Sequence, residues 1–133
     1  MPLKVTHKDL IERALAEVDT LTIDDANALL EEEDVHFVDL RDPRELQREG
    51  KIPGAFHAPR GMLEFWVDDT SPYYKDVFGS GKQFVFYCQS GWRSALATKA
   101  VQDMGMDRVS HIGEGFRGWK DSGAPTEEVP AKR

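Results

Sequence analysis

The sequence predicts an α/β fold, a three-layer domain whose central, mostly parallel sheet is covered by helices on both faces. Two observations carry this prediction. Short apolar runs bounded by turn residues alternate along the chain with stretches whose apolar residues recur at helical spacing. Parallel strands need crossover connections, which helices supply on both sides of a sheet. The length of 133 residues, 40% of them hydrophobic, suits one domain with one core.

The first part of the chain contains two predicted helices and a strand. Residues 8–18 carry apolar side chains at helical spacing and form a predicted helix within an N-terminal extension, residues 1–19. Thr22 begins the next helix, with Asp25 placed three residues on, in the manner of a capping box. Residues 36–40 are mostly apolar and predict the first strand.

The middle of the chain predicts shorter elements. Asp42 and Pro43 supply an N-cap and a first-turn proline for a short helix, and a short strand follows near Phe56. Residues 62–66 are helix-like, and Ser71 with the proline after it offers a second helix start.

The last part of the chain completes the alternation. Residues 84–87 form a central strand, and apolar residues between 96 and 104 predict a helix that ends at Gly105. Residues 108–111 predict another strand, and residues 116–119 a last helix. The main domain is expected to span residues 20–126, followed by a polar tail over residues 127–133.

Composition narrows the classes of function. The net charge of −7 argues against a nucleic-acid surface, because phosphate contacts need clustered Lys and Arg. No stretch approaches the roughly 20 apolar residues of a membrane span, and the N-terminus lacks the apolar core of a signal peptide. The single cysteine agrees with a reducing compartment. We therefore expect a cytoplasmic protein that contacts neither nucleic acid nor membrane.

Cys88 is the candidate nucleophile. It ends the central strand and opens the segment 88–94, which leads directly into a predicted helix. A thiol at a helix N-terminus meets backbone N–H groups and a positive helix end, both of which favour the thiolate. In open parallel sheets, ligands bind beyond the carboxyl ends of the strands, where Cys88 lies. The alternative interpretation is a buried cysteine that acts as a small hydrophobic residue.

Four ordered segments resemble the signatures of a single-domain rhodanese, a sulfurtransferase homology domain. They are residues 38–45, 50–55, 88–94 and 113–119. The resemblance runs from about Leu21 to Pro125 and implies a rhodanese-like fold with Cys88 as its catalytic residue. Two positions depart from the usual pattern: Lys51 replaces a histidine, and Glu114 replaces the first glycine of a pair. Both lie outside the cysteine loop.

The loop itself predicts an anion-binding nest around the sulfur. Successive backbone N–H groups can curl around Cys88, and Gly91 permits the positive φ that such a curl requires. A persulfide on Cys88 carries negative charge, which these donors would hold without a dedicated base. The candidate substrate-binding residues are Gln89, Ser90, Gly91, Trp92, Arg93 and Arg60. Asp39, at a strand end, is expected to be a structural residue near the site that bonds loop amides or pairs with Arg41 or Arg44.

No histidine is expected to pair with the cysteine. The four histidines are His7, His36, His57 and His111. Their spacing shows neither a Cys/His pair nor a metal site, so each is expected to be a surface residue or a satisfied structural residue. No metal and no cofactor are expected.

The expected reaction is sulfur transfer in two covalent steps. Cys88 takes the outer sulfur of thiosulfate or a similar anionic donor, and a thiol, cyanide or a protein thiol partner then accepts it. Three alternatives stay open: a persulfide carrier that serves a protein partner, a non-enzymatic regulatory module, and a phosphatase or arsenate reductase. Four residues separate Cys88 from Arg93. The related dual-specificity phosphatases use a longer loop that fits phosphate, so the shorter loop favours sulfur.

Overall fold

The computed structural model describes residues 2–130, which contain five strands and six α-helices. The strands are β1 (Asp19–Leu21), β2 (Val35–Asp39), β3 (Phe56–His57), β4 (Gln83–Tyr87) and β5 (Val109–Ile112). The α-helices are α1 (His7–Glu17), α2 (Ile23–Leu29), α3 (Pro43–Glu49), α4 (Leu63–Val67), α5 (Trp92–Asp103) and α6 (Gly115–Asp121). Two 3₁₀ turns span Arg60–Met62 and Asp76–Gly79. The first residue of the predicted extension and residues 131–133 of the predicted tail lie outside the described residues.

The five strands form one sheet in the order β1-β5-β4-β2-β3, and each neighbouring pair is parallel. The predicted α/β class is confirmed. Asp39 at the end of β2 lies opposite His57 of β3 and Tyr87 of β4. The carboxyl ends of these three strands therefore meet at one edge of the sheet, where the segment after Tyr87 begins.

Two apolar cores cover the two faces of the sheet. Along β4, Phe84 and Phe86 point into one core and Val85 and Tyr87 into the other, as the period of two requires. Helices α4 and α5 contribute side chains to the first core, and α2 and α6 to the second. Burial on both faces explains why β4 reads as an unbroken apolar run.

Helix α1 packs against α5 on the outer side of the first core. Its buried residues are Ile11 and Ala14, which lie on one face of the helix. Thr6 caps its first turn, since its hydroxyl accepts the Asp9 N–H at 3.2 Å. The division of the chain at residue 19 stays a prediction.

Several predicted helix boundaries match the structure. The Thr22 hydroxyl accepts the Asp25 N–H at 3.1 Å and caps α2. Asp42 caps α3, and Pro43 is the first residue of that helix. Helix α5 ends at Asp103 with Met104 as its C-cap, and Gly105 follows with a φ of +113°. The local capping rules therefore place these ends correctly.

Two elements differ from the prediction. Strand β1 was not predicted, because three residues are too few to show a period of two; its pairing with β5 defines it. Ser71 does not start a helix. Its hydroxyl accepts the Tyr73 N–H at 3.1 Å and its carbonyl accepts the Tyr74 N–H at 3.2 Å, so the segment closes as a turn.

None of the helices formed by residues 2–130 is long and apolar enough to cross a membrane.

Candidate active site

Cys88 lies directly after β4, and only 1% of its surface is exposed. Its Sγ accepts the N–H of Gly91 at 3.2 Å and the N–H of Ser94 at 3.4 Å. Helix α5, which begins at Trp92 and contains 12 residues, directs its positive end toward the sulfur. Two N–H donors and a helix N-terminus together favour negative charge on this atom.

Two backbone N–H groups donate to the sulfur, whereas the predicted nest could draw on the five successive N–H groups of residues 89–93. Of those five, Gly91 donates to Sγ, and the second donor is Ser94, which was not among the candidates. Gly91 has a φ of +97°, and a Cβ there would collide with the carbonyl oxygen of Gly113. The loop therefore needs glycine at position 91, as the sequence predicts.

Arg93 is held by a carboxylate. Its guanidinium donates two hydrogen bonds to Glu45 on α3, at 2.7 and 2.9 Å. Pairing with Glu45 raises the pKa of Arg93, and the adjacent Cys88 side chain raises it further. The same pairing lowers the pKa of Glu45. Arg93 thus lies beside the loop as predicted, but Glu45 occupies the guanidinium that an anionic donor would need.

Asp39 supports the loop from the end of β2. It pairs with Arg41 in a fully buried bidentate contact, at 3.0 and 2.8 Å. Arg41 in turn donates to the Gln89 side chain at 3.2 Å, and its guanidinium lies 4.2 Å from the centre of the Phe116 ring. Of the pairings considered from the sequence, the structure places Asp39 with Arg41, while Arg44 pairs with Asp42.

The N-terminus of α6 braces the backbone of the loop. Phe116 donates its N–H to the Cys88 carbonyl at 2.8 Å, and Arg117 donates to the Gln89 carbonyl at 3.1 Å. Gly115 has a φ of +64°, and a Cβ there would lie 2.5 Å from the Gln89 oxygen. Residues 113–119 carry part of the family resemblance, but no local pattern in the sequence indicates that they hold the cysteine loop.

The remaining candidates lie around the loop. Ser90 is exposed. Trp92 is 58% exposed, and its ring lies 5.3 Å from the ring of His7 at the start of α1. Arg60 follows β3, but its guanidinium pairs with Glu64 on α4 at 2.8 Å. A binding role for Arg60 stays a proposal.

One group near the sulfur was missed from the sequence. Ser94 Oγ lies 3.7 Å from Cys88 Sγ and 2.9 Å from His111 Nδ1. His111 Nε2 lies 3.0 Å from Thr20 Oγ1. Burial lowers the pKa of His111 to about 4, so the imidazole is neutral at neutral pH. Both ring nitrogens of His111 have hydrogen-bond partners, as expected of a buried histidine, but spacing could not reveal its link to the cysteine, because the sheet alone brings β1, β5 and the loop together.

Within residues 2–130, no group of three or more His, Cys, Asp or Glu side chains is arranged to hold a metal ion.

Comparison with known proteins identifies the family. The model of the rhodanese-like domain matches residues 22–122. A sulfurtransferase from Allochromatium vinosum is 33% identical over 97 residues, which cover 73% of this chain and 82% of that protein.

Two solved structures extend the similarity to the whole fold. A protein of unknown function from Rhodopseudomonas palustris CGA009, described as a possible tyrosine phosphatase, has 50% identity and a TM-score of 0.93, covering 96% of this chain and 98% of its own. The polysulfide-sulfur transferase homodimer of Wolinella succinogenes has 28% identity and a TM-score of 0.70, covering 92% and 87%. The matched segment includes β2, the cysteine loop and α6, which together build the site described above. The chain therefore belongs to the rhodanese-like domain family, whose members among its relatives include sulfurtransferases.

Proposed function

We propose that this protein is a sulfurtransferase that carries a sulfane sulfur as a persulfide on Cys88. The observation that carries the proposal is the position of Sγ: buried at the N-terminus of α5, it accepts N–H donors from Gly91 and Ser94. An anionic sulfur at this position gains from the donors and from the helix dipole. The resemblance to sulfurtransferases supports the same chemistry.

The first step loads the enzyme. The Cys88 thiolate attacks the outer sulfur of thiosulfate or a similar anionic donor, the bond between that sulfur and the rest of the donor breaks, and the rest of the donor, sulfite in the case of thiosulfate, leaves with the bonding electron pair. The product is a persulfide on Cys88. Arg93 is the cation beside the loop that can hold the oxyanion end of the donor, in competition with Glu45.

The second step removes the outer sulfur from the Cys88 persulfide. Cyanide or the thiolate of a small molecule or protein attacks the outer sulfur, and the Cys88 thiolate leaves with the electron pair of the broken bond. No external oxidant or reductant is needed in either step. A free thiol persists in a reducing compartment, so we place the protein in the cytoplasm. A persulfide carrier for a protein partner would use the same loaded state with slower turnover on small acceptors, whereas a regulatory module would not load.

Mass spectrometry of the intact protein tests the proposal. After incubation with thiosulfate, the wild-type protein should gain the mass of one sulfur atom, and cyanide should remove it. Cys88→Ser is the matched control, since it changes one atom of the buried side chain, and it should show neither gain nor transfer. Equal sulfur transfer by Cys88→Ser would refute the proposal.

A companion variant addresses the donor. Arg93→Ala should weaken the use of anionic donors while the fold stays intact, because the Arg93 side chain is 41% exposed and lies outside both cores. Loading at several thiosulfate concentrations measures this effect. Unchanged loading would remove Arg93 from the donor site.

Phosphoester hydrolysis is the second candidate, because the protein from Rhodopseudomonas palustris with 50% identity is described as a possible tyrosine phosphatase. The short loop weighs against it, since four residues separate Cys88 from Arg93 and the related dual-specificity phosphatases use a longer loop that fits phosphate. Hydrolysis of an aryl phosphate, measured beside sulfur transfer, separates the two. Cys88-dependent hydrolysis without sulfur loading would favour the phosphatase.

A further inference from the structure

A continuous line of hydrogen-bonding groups leads from the buried thiol to the protein surface. It passes from Cys88 Sγ to Ser94 Oγ at 3.7 Å, from there to His111 Nδ1 at 2.9 Å, and from His111 Nε2 to Thr20 Oγ1 at 3.0 Å. Cys88, Ser94 and His111 are buried, whereas Thr20 is exposed on the edge strand β1. The line therefore has a closed end at the sulfur and an open end at solvent.

The parallel sheet builds this line. Thr20 lies opposite His111 in the pairing of β1 with β5, and His111 lies opposite Phe86 in the pairing of β5 with β4. Ser94, in the first turn of α5, reaches from the loop to the imidazole. Each link thus rests on rigid secondary structure.

The imidazole in this line has both a donor and an acceptor nitrogen. His111 is fully buried, and burial alone lowers its pKa, so it is neutral and carries one ring proton. The groups that face it from β1 and α5 are the uncharged hydroxyls of Thr20 and Ser94.

Charged groups lie on the other side of the loop. Two ion pairs flank the cysteine segment. One joins Arg93 of α5 to Glu45 of α3, and the other joins Arg41 to Asp39 at the end of β2. Glu49 of α3 bonds the amide of the Gln89 side chain at 3.1 Å. Arg93 favours the thiolate, and none of these groups offers the thiol a hydrogen bond that could accept its proton.

We propose that Ser94, His111 and Thr20 form a proton relay that takes the proton of the Cys88 thiol to solvent at β1 and leaves a hydrogen bond on the thiolate. The proposal rests on the proposed function, since sulfur loading needs the thiolate. The sulfur is almost fully buried, and among the described residues Ser94 Oγ is the acceptor within reach of its proton. Ser94, His111 and Thr20 are positioning residues that act through one another on Cys88.

The proton balance of the relay closes. The S–H proton moves to Ser94 Oγ, the former Ser94 proton moves to His111 Nδ1, the Nε2 proton moves to Thr20 Oγ1, and the former Thr20 proton leaves to water. The result is a thiolate, a neutral imidazole of the other tautomer, and two intact hydroxyls. Ser94 then donates to the thiolate and His111 Nδ1–H donates to Ser94, so the line that carries the proton out also stabilises the anion it leaves.

The ionisation midpoint of Cys88 tests the relay without any sulfur donor. The rate of alkylation by iodoacetamide, a neutral reagent, is measured against pH for each variant, because only the thiolate reacts. Ser94→Ala should raise the midpoint by about one pH unit, as expected for the loss of a hydrogen bond to a charged group. Thr20→Val keeps the shape of an exposed residue, removes the outer hydroxyl, and should raise the midpoint by a smaller amount.

Two variants control for disturbance of the fold. Thr20→Ser retains the hydroxyl and should keep the wild-type midpoint. Ser110→Ala removes a buried hydroxyl that has no hydrogen-bond partner among residues 2–130, from the residue beside His111 on β5, and should also leave the midpoint unchanged. Replacement of His111 itself risks unfolding, so the substitutions are made at Ser94 and Thr20 on either side of it.

The outcomes separate the two proposals. A wild-type midpoint in Thr20→Val, or an equal shift in Ser110→Ala, overturns the relay. If the wild-type protein loads sulfur from thiosulfate but the variants keep the wild-type ionisation midpoint of Cys88, the relay is wrong and the sulfurtransferase proposal stands. If the midpoints shift as expected but Cys88 gains no sulfur, the relay stands and the proposed function fails.

Discussion

Among single residues, Glu45 decides how much of the positive charge beside the cysteine is available to a ligand. It caps α3 through the Asp42 N–H at 3.1 Å and binds Arg93 at the same time. The Arg93 side chain is 41% exposed, so water screens the pair and an arriving anion can displace the carboxylate. An anionic donor thus competes with Glu45 for one guanidinium.

Glu45→Gln should therefore increase loading by thiosulfate at low concentration, by about two- to fivefold, because it removes a competing charge worth up to about 1 kcal/mol. Glutamine retains the capping oxygen for the Asp42 N–H. The measurement is the fraction of Cys88 persulfide against donor concentration.

The matched comparison for this variant is Glu64→Gln, which frees Arg60 in the same way. If loading increases only in Glu45→Gln, Arg93 is the residue that binds the donor. If loading increases in both variants, Arg60 binds the donor as well. Reduced loading in Glu45→Gln would contradict the competition.

Among the elements, α6 contacts the cysteine loop most directly after α5, which begins within the loop itself. In the first turn of α6, the N–H groups of Phe116 and Arg117 donate to the carbonyls of Cys88 and Gln89, so α6 fixes the backbone that positions the sulfur. The close approach at Gly115 makes these bonds possible.

Gly115→Ala should destabilise the fold by about 1–3 kcal/mol and reduce persulfide loading, because the new Cβ meets backbone oxygens of the loop and the residue must keep a positive φ. Urea unfolding and thiosulfate loading measure the two effects. Gly123→Ala is the control: it has a φ of +82° but open space around its Cα, so it carries the conformational cost alone. Equal loading by the two variants would show that α6 does not position the loop.

The packing of α1 on α5 joins the N-terminal segment to the helix that carries the loop. Ile11 is 8% exposed and Leu15 is 46% exposed, although both are apolar residues of the same helix. The two side chains therefore differ in burial and not in hydrophobicity.

Ile11→Ala should lower the free energy of unfolding by about 2–3 kcal/mol, because it leaves a cavity between α1 and α5. Leu15→Ala should change it by no more than about 0.5 kcal/mol, since the side chain is largely in water already. Denaturant unfolding measures both. Equal effects would mean that Ile11 does not anchor α1 on α5.

For the whole molecule, the buried neutral imidazole links stability to pH. His111 stays neutral in the fold down to about pH 4, whereas in the unfolded chain it gains a proton below its ordinary pKa of 6.5. The unfolded state thus binds more protons between these two values. The contribution of His111 to stability is complete above pH 6.5 and is lost as the pH falls toward 4.

Urea unfolding at several pH values should show this loss, up to about 3 kcal/mol across the whole window. His111→Gln, if folded, should flatten the dependence, and His36→Gln should retain most of it, because His36 is less buried. Equal stability at pH 7 and pH 5 would contradict a neutral His111 in the fold.

The sequence by itself determined the α/β class, the caps at Thr22 and Asp42, the strand before Cys88 and the need for glycine at position 91. These features follow from short-range patterns: apolar periodicity, capping residues and turn residues act within a few positions of the chain. Only the tertiary structure decided that Glu45 holds Arg93, that α6 braces the loop, and that Ser94, His111 and Thr20 form a line from the sulfur to the surface. Their partners lie far apart in the sequence and meet because a parallel sheet aligns the ends of separate strands, and no local pattern encodes that alignment.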